Sequence, residues 1–207
     1  AVAAGRRLHP AYARSFPDVA LIDEGALRTP LEGRFDVQLA MGDLGHVLKV
    51  DGLAIAARRV PFLIADAARR EELRTANPVL GAGPVCGLSW KSANKKFGAE
   101  KSLRLIDLAP LLRLPGISFV NLQYGAVDDE IAEVRSALGV DVHRAAGLDV
   151  FNDIDGLLAL VDCCDVVVTT SNVTAHLAGA LGKRGVVLVP AGKGLLWYWQ
   201  GGANNLW

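Results

Sequence analysis

The stretch from Asp165 to Gly182, DVVVTTSNVTAHLAGALG, reads as a buried strand that runs directly into the N-terminus of a helix. Val166, Val167 and Val168 form a β-branched run suited to a strand covered on both faces. Thr169, Thr170, Ser171 and Asn172 follow, with hydroxyl and amide groups that cap a helix and can also bond a ligand. Val173, Leu177, Ala180 and Leu181 then supply an apolar face, and Ala175, Ala178 and Gly179 are small enough for close packing on a sheet. Gly182 stops the helix, while Lys183 and Arg184 complement its C-terminal dipole. His176 falls one turn inside, near enough to the unpaired first-turn amides to share a bound phosphate with them. A capped helix with a partly buried histidine explains the same residues without any ligand.

The rest of the chain narrows the classes. With 207 residues, about half of them apolar, it can bury one large or two small α/β units. Its formal charge is zero, and no Lys/Arg block with interleaved aromatics points to general nucleic-acid binding. No apolar run reaches membrane-spanning length and the N-terminus lacks the apolar region of a signal peptide, so the expected location is the cytoplasm. Cys86, Cys163 and Cys164 match neither a disulfide frame nor a zinc site and read as small buried filler. The scattered His9, His46, His143 and His176 form no metal-binding pair, so no metal is expected.

From Val85 onward apolar runs alternate with helical periods. Strands are predicted at Val85 to Trp90, Ile117 to Leu122, Val140 to His143, Asp165 to Thr169 and Gly185 to Val189. Helices are predicted around Leu103 to Leu112, Asp128 to Leu138 and Ile154 to Cys163. That alternation means α/β with a parallel sheet, whose ligand sits at the carboxyl ends of the strands. Earlier patterning is less regular: Val19 to Ile22 and Phe35 to Leu39 read as strands, Pro61 to Ile64 as extended, and Ala65 to Leu73 as helix. Asn77-Pro78, followed by Gly81 and Gly83, reads as a linker, dividing residues 1–77 from a complete Rossmann-like unit at 78–207.

Three polar clusters fall after predicted strands. KSANKKFGAEKS brings Lys91, Ser92, Asn94, Lys95, Lys96, Lys101 and Ser102 to the first strand's end, where lysines can neutralise a diphosphate or simply be solvated. Gln123 and Tyr124 can bond or stack on a nucleoside, or merely lead into a turn at Gly125. Trp197, Tyr198 and Trp199 follow the last strand, a placement that suits a core or domain interface better than a base.

The run GLSWKSANKKFGAEKSLRLIDLAPLL, then FVNLQYG, then TTSNVTAHLAGALGKRGVVLVP and the Trp-rich tail, resembles the C-terminal domain of bacterial GT-B glycosyltransferases. The group it is most similar to is heptosyltransferase-like (family 9-like), often fused to tetratricopeptide repeats and including enzymes that glycosylate flagellin. The resemblance covers residues 85–207. A weaker extension through FDVQLAMGDLGH and PFLIAD makes residues 1–77 the latter part of an acceptor-side domain. Family members carry more chain before Ala1 and usually a little after Trp207, so a fragment is expected.

The resemblance implies metal-independent transfer of a sugar from a nucleotide sugar to a protein or glycan hydroxyl, with no cofactor. The family's Asp-Thr-x-x-x-His stretch maps onto Ser171, Asn172 and His176, with Thr170 and Thr174 alongside. The missing aspartate leaves the donor sugar open. The family's basic residue falls in the lysine-rich loop, with Lys91 or Lys96 first and Lys101 after them for the pyrophosphate. Gln123 and Tyr124 go to the nucleoside side, and Asn94 and Ser89 are lesser candidates. His176 is also carried as a catalytic group, helping to stabilise the leaving phosphate. Asp43, beside His46 in GDLGH, is the one candidate base in this chain, although a turn explains it too. Two other classes stay open: a non-catalytic nucleotide- or sugar-nucleotide-binding module, and a structural Rossmann-like interaction domain.

Overall fold

A computed structural model describes residues 1–25, 35–50 and 61–192, together with Leu195 and Trp199. Strand β1 (Val2–Ala4) pairs in parallel with β2 (Leu21–Asp23) as a separate two-stranded sheet. Between them runs helix α1 (His9–Ser15), whose first turn carries Pro10, a residue that suits that place because its missing N–H has no partner to lose there. A short exposed helix, α2 (Leu44–Val47), follows the 3₁₀ turn Met41–Asp43. Helix α3 (Ala67–Ala76) is capped by Asp66, whose carboxylate accepts from the amides of Ala68 and Arg69.

The main sheet contains β3 (Val85–Ser89), β4 (Ser118–Asn121), β5 (Val142–His143), β6 (Val166–Thr170) and β7 (Arg184–Leu188). All described pairings are parallel, in the order β5-β4-β3-β6-β7. The order steps outward from β3 to β5 and then resumes on its other side at β6, so the switch point lies between the carboxyl ends of β3 and β6. Between the strands run α4 (Ala109–Leu112), α5 (Asp128–Leu138), α6 (Ile154–Asp162) and α7 (Val173–Ala180). No helix among the described residues is long and apolar enough to cross a membrane.

The strand period sorts the core into two layers. Val85, Val120 and Val167 pack on one face with α6, which is buried from Ile154 to Val161. Cys86, Leu88, Phe119 and Val168 pack on the other with Trp90, Leu105 and Val134. Gly87 occupies a central position where a Cβ would collide with the Leu122 side chain and approach the Cys164 sulfur at 2.9 Å, so a larger residue would force those side chains to move. Residues before Asn77 join the α6 layer: Ala11, Leu63 and Leu73 share its apolar cluster. Ion pairs tie the same seam, Arg14 to Asp155, Arg69 to Asp153, and both Arg70 and Lys183 to Asp162. The cysteines are free and buried, and burial pushes the Cys86 thiol up to about 11.

Two local expectations are corrected. Residues 35–39 are exposed and form no strand, because the alternating pattern of Phe35 to Leu39 finds no partner strand among the described residues. The single helix expected over Leu103 to Leu112 is a 3₁₀ turn (Leu105–Leu108) followed by α4. Pro110 is the cause: it has no N–H to give Ile106, and its ring would crowd that carbonyl in a continuous α-helix.

Candidate functional site

The carboxyl ends of β3, β4 and β6 are braced into one deck by three side chains. Asn172 caps α7 by accepting from the Thr174 amide at 2.9 Å. Its amide nitrogen donates to Ser89 Oγ at 2.8 Å and to the Lys91 carbonyl at 3.0 Å. Ser89 Oγ donates in turn to Gln123 Oε1 at 3.0 Å, and the Lys91 amide donates to the same oxygen at 2.8 Å. The Gln123 Nε2 donates to the Tyr124 carbonyl at 3.0 Å. The loop after β3, Gln123 after β4 and the turn after β6 therefore meet at one end of the sheet; Trp197 and Tyr198 lie outside the described residues.

Several nominated residues are consumed in building that deck. Gln123 is buried with its amide oxygen and nitrogen both bonded, so it does not present itself to a nucleoside. Lys91 is not a free phosphate lysine, since its ammonium pairs with the Glu130 carboxylate. Ser171 is buried and its Oγ accepts from the Trp199 indole at 2.8 Å. Thr170 is buried, and its Oγ1 lies 3.4 Å from the Asn172 amide nitrogen. Thr174 is closed off from solvent, and its Oγ1 has no hydrogen-bond partner among the described residues. Lys96 is exposed, its ammonium 5.1 Å from the Phe97 ring centroid. Asn94 shapes the loop by accepting from the amides of Lys96 and Phe97. Asp43 lies exposed in its 3₁₀ turn, and its carboxylate makes none of the bonds found among the described residues.

What the deck leaves available is a cation. Lys101, ranked last of the three lysines, is only 5% exposed, and its ammonium forms no hydrogen bond or ion pair among the described residues. Its charge acts on His176, on the first turns of α7. Desolvation, and after it the Lys101 charge, hold the His176 imidazole below its ordinary value, so the neutral ring is favoured. The Trp199 ring lies against His176, centroids 5.4 Å apart. An ammonium with no carboxylate paired to it among the described residues leaves a positive potential that an anion beside it would satisfy. The N-terminus of α7 adds the same sign of potential.

Beside this cationic corner opens a cleft of about 230 Å³ whose lining includes Arg7, Asn94, Tyr124, Phe151, Asn172 and Val173. The rings of Tyr124 and Phe151 lie 5.5 Å apart at 50°, and the Tyr124 hydroxyl is fixed by the Ala93 amide at 2.8 Å. Arg7 reaches over from the first residues of the chain, donating to the Phe151 carbonyl at 2.8 Å with its guanidinium 5.4 Å from the ring centroid. Arg7 and Phe151 were not nominated from sequence, since each carries a solitary, ordinary-looking signal. A larger groove of about 440 Å³ runs along β4 and β5 near their starts, but it lacks a buried polar group and lies away from the switch point.

No family model matches the chain. Protein FlbA of Caulobacter vibrioides is 36% identical over 197 residues, covering 87% of this chain and 32% of that protein. The chain thus spans about a third of that relative's length. The crystal structure of the glycosyl transferase family 9 from Veillonella parvula aligns with 61% of this chain and 42% of its own, at 14% identity and a TM-score of 0.45. POFUT1 in complex with GDP aligns with 89% of this chain and 68% of its own, at 12% identity and a TM-score of 0.42. The fold itself is α/β, with a five-stranded parallel sheet covered by helices.

Proposed function

We propose that this chain is the donor-binding part of a metal-independent glycosyltransferase of the GT-B kind, moving a sugar from a nucleotide sugar to a protein or glycan hydroxyl. The observation that carries the reading is Lys101, a largely buried residue whose ammonium has no hydrogen bond or ion pair among the described residues, beside His176 and the α7 N-terminus at the sheet's switch point. In this reading the donor diphosphate lies against those groups, and the nucleoside extends into the cleft beside Tyr124 and Phe151.

Glycosyl transfer leaves a phosphate anion, so fixed positive potential at the leaving group stabilises the transition state more than the ground state. Lys101 supplies a full charge and α7 the oriented amides. His176 becomes a donor when the anion draws a proton onto it. Asp43 is the chain's candidate for taking the acceptor proton. Residues 1–77 belong, in this reading, to the acceptor-side domain and 78–207 to the donor side. The parent protein would be cytoplasmic and carry tetratricopeptide repeats that present the acceptor.

The test is calorimetry and thermal shift with UDP, CMP, ADP and GDP on wild type and Lys101→Met. A nucleoside diphosphate should raise the melting temperature, and the variant should lose roughly tenfold or more in affinity. Failure of every nucleotide to bind would overturn the reading. Donor hydrolysis or sugar transfer by the parent protein then separates an enzyme from a binding module.

A further inference from the structure

We propose that Glu130 is the residue that positions Lys101, by clasping both stems of the loop that carries it. The inference rests on the diphosphate reading only for its functional consequence. Glu130 stands in the first turn of α5, packed below the loop formed by residues 91–104. Its Oε2 accepts from the Trp90 indole at 3.0 Å, on the stem entering the loop, and from the Leu105 amide at 2.8 Å, on the stem leaving it. Its Oε1 pairs with the Lys91 ammonium.

The two stems are not equally secured. The entering stem is held to the deck several times, through Gln123, Asn172 and Tyr124. Lys101 lies near the leaving stem, which is joined to the entering one by the Leu103 amide donating to the Trp90 carbonyl at 2.8 Å and held to α5 by Glu130 and, on the exposed surface, by Arg104 donating to Glu133 at 2.6 Å. Within the loop, Ser102 Oγ accepts from the Ser92 amide at 3.0 Å, but that bond shapes the loop without anchoring it to a helix. Releasing Glu130 would therefore loosen the side of the loop from which Lys101 projects, leaving the exposed Arg104–Glu133 pair and the Leu103–Trp90 bond to hold it. The clasp also accounts for the division of labour between lysines: Lys91 neutralises Glu130, which leaves the Lys101 charge uncompensated toward His176.

His176 responds to the position of Lys101, because after desolvation the Lys101 charge is what lowers its basicity among the described residues. The experiment is an NMR titration of the His176 ring in wild type, Lys101→Met, Glu130→Ala and Glu130→Gln. Lys101→Met should move the titration upward by removing the repelling charge. Glu130→Ala should move it in the same direction as the leaving stem loosens, and should weaken nucleoside diphosphate binding several-fold while sparing the nucleoside. Loss of the Glu130 charge acting alone would lower the His176 titration, so an upward move reports displacement of the lysine. Glu130→Gln keeps an amide oxygen for Trp90 and Leu105 but loses the charge, so the titration should show no upward move. Should the alanine variant not melt cooperatively, Glu130→Leu, which keeps the bulk but accepts no hydrogen bond, takes its place with the same expected rise. A Glu130→Ala or Glu130→Leu curve superimposed on wild type, with Lys101→Met shifted, overturns the proposal; so does an unmoved Lys101→Met curve. Shifted curves in a protein with no affinity for any diphosphate would uphold the positioning role and dismiss the anion reading.

Discussion

Lys101 and His176 come from segments far apart in sequence, the loop after β3 and the helix after β6, yet the charge of one lowers the basicity of the other. Two basic groups brought together repel each other, and an anion bound between them relieves the repulsion. Proton uptake should therefore accompany binding.

Affinity for a nucleotide sugar should rise as pH falls from about 8 to about 6 and should lose that dependence in His176→Ala. A sugar-linked diphosphate is the right probe, because it has no terminal phosphate that titrates in the same range. The same depression sets a stability trend. The folded state binds the His176 proton less readily than the unfolded state, so its contribution is fully present above the ordinary value of 6.5 and declines as pH falls toward the lower folded value. Calorimetry in two buffers of different ionisation enthalpy measures the uptake. Equal heats in both, at a pH near 6.5, would remove His176 from the phosphate site.

Gln123→Ala should be a stability variant. Removing the side chain strips Ser89 Oγ and the Lys91 amide of their acceptor inside a buried network, at a cost of about 2–4 kcal/mol. Nucleoside affinity of the folded fraction should change little, since the residue is only 1% exposed. Chemical denaturation paired with calorimetry below the transition checks both halves. A selective loss of nucleoside binding at unchanged stability would return Gln123 to the ligand.

Two glycines separate fold from site in a similar way. Gly87→Ala pushes a Cβ into the Leu122 side chain and toward Cys164, an overpacked core that should cost about 1–3 kcal/mol. Gly98→Ala instead meets backbone, the carbonyl of Asn94 and that of Ser92 at 2.6 Å, and no rotamer change relieves it. Its effect should fall on the 91–104 loop, lowering diphosphate affinity by more than Gly87→Ala does at comparable loss of melting temperature. Matched thermal melts and titrations of the two variants decide it; equal affinity losses would contradict the assignment of Gly98 to the loop's shape.

The strands around the switch point were legible because their signals are local. Val166 to Val168 can only be a buried strand, and Asn172 reads as a cap that the structure also makes the hub of the deck. Asp128 to Leu138 matches α5 at both ends, closed by Gly139 in the left-handed region at φ +67°. The failures come from long-range pairing. Phe35 to Leu39 has strand periodicity but no partner strand among the described residues, and Val2–Ala4 is a strand through β2 alone. Among the lysines the sequence shows equal charges. Only the fold reveals that Glu130 occupies Lys91 while Lys101 is buried beside His176.

Phe151 and Lys101 should fail in opposite ways. Phe151 is 51% exposed at the cleft mouth, so Phe151→Ala should leave the melting temperature nearly unchanged. It should weaken nucleoside and nucleoside diphosphate by the same factor, because stacking of a base on an aromatic ring is worth about 1–3 kcal/mol whatever phosphate is attached. Lys101→Met should instead spare the nucleoside and weaken the diphosphate, since the ammonium acts only on the charged end. Crossing the two substitutions should give additive losses, as the base and phosphate contacts share no partner. Titrating the three proteins and the double variant with nucleoside and nucleoside diphosphate reads all of these at once. A Phe151→Ala protein that binds both ligands like wild type would mean that the nucleoside lies elsewhere on the deck, and the cleft beside Tyr124 would have to be reassigned.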